Sequence, residues 1–228
     1  MPDVPRNFVS RPPMPTDPAT LAAFDALFDA TVAAGGTEPI DYALSAPRWQ
    51  FICHIADTRD VVIHGSGNPD IALFEPRQPI DMTEFGNQNA VYAASDGLWP
   101  MYFAILDRDR YPIWLINGSG RLVGEDGVVR EPFYFFSISD TVLAQAPWRR
   151  GTIYFLPRDT FRQQPPLVVG GQPVLVPQWA SLEPVRPLAR IEIDAADFPL
   201  LGQMRGHPDD EAYRERVRND PDGFPWVD

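Results

Sequence analysis

Proline constrains this chain more than any other residue type: it supplies 26 of the 228 residues and recurs from end to end. Each proline fixes φ and removes a backbone donor, so long helices and long strand ladders are broken up. The expectation is many short strands joined by irregular connections. Apolar residues at 44% and charged residues at 22% still provide for a folded core, and the length suits one substantial domain.

Three regions follow: a proline-rich arm over 1–15, a single α+β domain over 16–205, and a polar tail over 206–228. Thr16-Asp17-Pro18 offers an N-cap with proline in the first turn. Leu21, Phe24, Leu27, Phe28 and Val32 follow at helical spacing until Gly35-Gly36. A second helix is expected from about Pro47 to Ala56, with Trp49, Ile52, Cys53 and Ala56 on one side. Val61–His64 reads as a strand. Ser95-Asp96 can cap a helical turn carrying Trp99 to Ile105. A β-rich region then has expected strands at Ile113–Asn117, Pro132–Ile138, Thr152–Leu156 and Leu188–Ile193. Asn117-Gly118-Ser119-Gly120 and Glu125-Asp126-Gly127 read as hairpin turns. Residues 162–177 read as a loop or hairpin inserted between two strands, and the tail is expected to hold one short helix, Asp209 to Arg218.

The formal charge of −12 repels phosphate backbones, and the basic residues form no stripe, so nucleic acid is disfavoured as a partner. No apolar run reaches the roughly 20 residues that span a bilayer. The first residues lack the basic-then-apolar plan of a signal peptide, so a cytoplasmic location is expected. The single cysteine, Cys53, rules out an internal disulfide and reads as a core residue. His54, His64 and His207 show no HxH or HxxxH spacing, so no metal site is expected. No dinucleotide glycine fingerprint, phosphate loop or nucleophile elbow is present.

Two segments stand out. Val61-Val62-Ile63-His64-Gly65-Ser66 reads as a strand ending in a histidine and small residues, and Val91-Tyr92-Ala93-Ala94-Ser95 as a strand carrying a tyrosine. Gly65 has no Cβ to block a ligand from the backbone. A strand-end histidine can equally cap a turn, and a strand tyrosine can equally be packing. Arg77, between the two segments, can reach a phosphate as a fork donor or pair with a nearby acid. Trp99, Met101, Tyr102 and Phe103, like Phe133-Tyr134-Phe135-Phe136, read as core.

His64-Gly65-Ser66 followed by Tyr92-Ala93-Ala94-Ser95 resembles the first two signature elements of the ADP-ribosyltransferases of the diphtheria-toxin and PARP type. The resemblance covers roughly residues 58–193. It implies a split antiparallel β-sheet core with flanking N-terminal helices, and NAD as substrate. It further implies that His64 contacts the nicotinamide ribose, that the Gly65 backbone holds the carboxamide with Ser66 beside it, and that Tyr92 stacks on the nicotinamide. The family's third element is a glutamate that offsets an oxocarbenium-like charge. The matching stretch begins Gln178-Trp179-Ala180-Ser181. It puts an uncharged amide at that position, with Glu183 and Glu131 as fallback carboxylates.

Two functions compete on this basis. One is NAD-dependent transfer of ADP-ribose to an acceptor, which could be a protein. The other is a non-catalytic binding protein on the same scaffold that docks on a basic partner. The first requires His64, Tyr92 and Gln178 to line one cleft.

Overall fold

The computed structural model describes residues 7–79, 83–169, 171–220 and 223–226. Its architecture is α+β with two largely antiparallel six-stranded sheets. The first sheet contains β1 (Val9–Ser10), β4 (Leu115–Leu122), β5 (Phe133–Ser139), β8 (Leu167–Val169) and β9 (Gln172–Leu175), in the order β1-β5-β4-β9-β8. β12 (Arg205–His207) pairs in parallel with β5. The second sheet contains β2 (Val61–Ser66), β3 (Val91–Ala94), β6 (Gly151–Pro157), β7 (Arg162–Gln163), β10 (Gln178–Ser181) and β11 (Ala189–Ile193), in the order β11-β6-β2-β3-β10-β7.

Helices α1 (Pro18–Ala33), α2 (Arg48–Thr58), α3 (Leu98–Ile105), α4 (Asp140–Leu143) and α5 (Glu211–Asn219) complete the fold. α1 starts where its N-cap predicts: Asp17 Oδ2 accepts from the Thr20 N–H at 2.9 Å. Its buried Phe24 packs edge-on against Phe51 of α2, with centroids 5.8 Å apart. α3 lies between the sheets. Its Tyr102 packs at a tilt against Phe136 of β5 and donates to the Ser137 carbonyl at 2.8 Å, while Pro100 and Ala104 approach Gly65 of β2. The main core joins Met101, Tyr102 and Ile105 to Tyr134, Phe136 and Ile138 on one side and Ile63, Ile153 and Phe155 on the other. Burying each such side chain contributes roughly 1.5–3 kcal/mol. A smaller core of Val62, Phe74, Val91, Ala93, Tyr154 and Leu156 covers the opposite face of the second sheet.

Three expectations change. Asn117-Gly118-Ser119-Gly120 is the middle of β4 and forms no turn. A Cβ on Gly118 would meet the Phe224 ring at 2.7 Å, so that glycine serves close packing. The hairpin turn is the later one, where Gly127 has φ +74° and the Gly124 N–H donates to the Val128 carbonyl. The described part of the tail is built into the body: β12 extends the first sheet, and Val217 and Trp226 pack on Ile116 and Phe135. The arm likewise adds β1 to β5, and Arg11 reaches Asp57 at 2.6 Å. No helix among the described residues is long and apolar enough to cross a membrane.

Candidate functional site

The three segments singled out in the sequence fall on the neighbouring strands β2, β3 and β10. β2 follows β6 over its whole length, from Val61↔Pro157 to Ser66↔Thr152, but meets β3 only at Ile63↔Ala94. Beyond that pair the strands part, and His64 occupies the parting. Its Nδ1–H donates to the Tyr92 carbonyl at 2.6 Å, and its ring lies 4.7 Å from that of Phe74. A carbonyl can only accept, so the proton is on Nδ1 and the neutral ring presents Nε2 as an acceptor. Among the described residues Nε2 has no hydrogen-bond partner. Burial lowers the His64 pKa below the ordinary imidazole value, the Tyr92 carbonyl opposes this, and the Arg77 charge adds to the lowering. The ring is therefore neutral at physiological pH.

Strand alternation separates the side chains. Val62, Val91, Ala93 and Tyr154 belong to the smaller core, and His64 joins them through Phe74. Ile63 belongs to the main core and pairs with Ala94, so Tyr92, two residues away, shares that face. The imidazole and the phenol thus stand on opposite faces of the sheet, and the expectation that both wall one sugar ring is corrected. The cause is register: with Ile63 opposite Ala94, His64 falls beside Ala93. The Tyr92 hydroxyl accepts from the Gln88 N–H at 2.8 Å and faces the Phe85 carbonyl at 2.9 Å. It therefore pins the turn Phe85–Asn87.

Gly65 and Ser66 also have local roles. A Cβ on Gly65 would lie 1.9 Å from the Pro100 carbonyl oxygen, so the glycine admits α3 against β2. Ser66 Oγ accepts from the Asn68 N–H at 3.1 Å and closes a turn. Gln178 lies opposite Ala94, on the Tyr92 face, and its carbonyl accepts from the Gln164 N–H at 2.9 Å. The fallback carboxylates are elsewhere. Glu183 is exposed past the end of β10, and Glu131 is exposed before β5 in the first sheet, 3.6 Å from Arg11.

Arg77 is exposed, and its backbone forms a bridge with Ala90. Among the described residues it makes no ion pair, while its charge acts on His64. Phe74 is not legible in the sequence as the partner of the imidazole, since that contact depends on the loop folding back to bridge Val185. Among the described residues no group of three or more His, Cys, Asp or Glu could hold a metal ion. Where β2 and β3 part, the structure therefore offers a neutral acceptor at His64 and an exposed guanidinium, Arg77, whose charge acts on it, while Glu183 and Glu131 lie elsewhere.

No protein-family model matches the chain, and neither a curated protein nor a solved structure matches it.

Proposed function

We propose that this protein is a non-catalytic binding module on a scaffold resembling the ADP-ribosyltransferases, and that it takes an NAD-type dinucleotide where β2 and β3 part. One observation carries the reading: His64 is locked as the Nδ1–H tautomer with Nε2 unpartnered, and the unpaired Arg77 lies near enough to act on it. Nε2 suits a ribose hydroxyl and the guanidinium suits a phosphate. Gln178 supplies no charge to offset an oxocarbenium ion, and Tyr92 is on the far face, so binding without glycosidic cleavage follows. The acidic balance of −12 suits a basic protein as docking partner.

The transferase reading keeps one support: Tyr92 and Gln178 share a face on adjoining strands. Thermal unfolding with and without NAD, together with an assay for released nicotinamide, tests both. The binding reading predicts stabilisation that grows with NAD concentration by mass action and no nicotinamide release. Losing a neutral hydrogen bond in His64→Ala should weaken binding by up to about tenfold, and losing a charge-assisted one in Arg77→Ala by about tenfold or more. An unchanged melting temperature in saturating NAD rejects the binding site. Nicotinamide release that depends on Gln178 establishes the transferase instead.

A further inference from the structure

β8 ends the first sheet, and its three side chains are all apolar and solvent-facing: Leu167, Val168 and Val169 are 43, 75 and 59% exposed. An edge strand of this kind is a template for pairing, and proteins normally blunt it with charge. Here the edge is short and preceded by proline, but charge is missing. Between Arg162 and Glu183 the chain has no charged residue, although its net charge is −12.

The backbone shows what the edge offers. Val168 lies opposite Pro173 of β9. The Pro173 carbonyl accepts from the Val123 N–H at 3.0 Å, so it is turned toward β4 and away from β8. Val168 and Pro173 are therefore a pair without mutual hydrogen bonds, and the N–H and C=O of Val168 point out from the free edge. Pro166, two residues earlier on the same edge, has no N–H to give.

We propose that β8 pairs antiparallel with β8 of a second copy about a two-fold axis through Val168, joining the first sheets of two protomers. In that register Val168 exchanges two hydrogen bonds with its own counterpart, and Leu167 lies against the partner's Val169. A residue on such an axis meets itself, so any charge there would oppose an identical charge. The uncharged hairpin meets that requirement, whereas a hetero-partner for so acidic a chain would be selected through opposite charge. The proline at 166 disfavours the register shifted by two residues.

Sedimentation equilibrium on the full chain tests this. A monomer–dimer equilibrium is expected, and salt should tighten it by screening the repulsion between two acidic bodies; an ion-paired interface would loosen. Val168→Pro removes an N–H that the monomer does not use, and Val168→Lys sets two cations against each other on the axis. Both variants should stay monomeric at concentrations where the wild type dimerises, with unchanged circular dichroism. If proline disturbs the hairpin, the lysine variant decides. A wild type that remains monomeric, as it would if the edge served another protein, overturns the proposal, as does a dimer that Val168→Lys leaves intact.

Discussion

His64 and Gly65 are adjacent in sequence, yet they answer to different demands. The imidazole is fixed by one hydrogen bond to the Tyr92 carbonyl, whereas the glycine is fixed by the Pro100 carbonyl on the other side of the strand. Gly65→Ala should therefore act on stability. A Cβ placed 1.9 Å from a backbone oxygen forces β2 and α3 apart, and overpacking of this kind costs about 3 kcal/mol. Urea unfolding should show the midpoint falling with little change in slope. A Gly65→Ala protein of wild-type stability that binds NAD less well would instead assign the glycine to the ligand. The neighbouring Asp96 shows the same division of labour. Its Oδ1 accepts from the Leu98 and Trp99 N–H groups at 2.9 and 2.8 Å, and its Oδ2 accepts from the Tyr134 hydroxyl at 2.6 Å. It starts α3 and ties it to β5.

Elements were legible in the sequence where the signal is local. The Asp17 cap, the stripe from Leu21 to Val32, and the apolar runs of β5, β6 and β11 all need only neighbouring residues. The facing of His64 and Tyr92 was not legible, because it depends on Ile63 meeting Ala94 across the sheet. The glycines of β4 read as a turn because their reason is a ring, Phe224, more than a hundred residues away. The tail misled in the same way: its polar composition hides β12, whose His207 is 2% exposed. His207 Nδ1 lies 2.7 Å from Ser137 Oγ, and its ring lies edge-on to Trp114 and stacks on Tyr213. Burial lowers its pKa from 6.5 to about 4, against the raising effects of Asp209 and Asp140 and with help from Arg214. The unfolded chain therefore takes up this proton before the folded one does. The stability that depends on neutral His207 is complete above 6.5 and is lost as pH falls toward about 4. His64, shifted in the same direction, adds to the slope. Unfolding free energies measured across that interval should fall toward acid, and less steeply in His207→Gln. Parallel slopes in the two proteins would remove His207 as a source of the acid sensitivity.

At the scale of the whole molecule, two sheets clasp α3; the proposed ligand position lies on the face of the second sheet turned away from it, and the proposed pairing strand lies at the edge of the first. The second sheet bears His64 beneath Phe74, and the first ends in the uncharged strand β8. The resemblance of His64-Gly65-Ser66 and Tyr92 to a nicotinamide site gave the positions worth testing. The register between strands places Gly65 and Tyr92 in the service of the fold and leaves His64 and Arg77 as the residues of the proposed ligand site. The most direct measurement is a long-range 1H–15N spectrum of the His64 imidazole at neutral pH, taken before and after NAD is added. A protonated Nδ1 and an unprotonated Nε2 are predicted, with the Nε2 resonance moving as NAD binds in the wild type and needing about tenfold more NAD, or beyond, to move in Arg77→Ala. A proton on Nε2, or an Nε2 resonance unmoved at saturating NAD, would contradict the account.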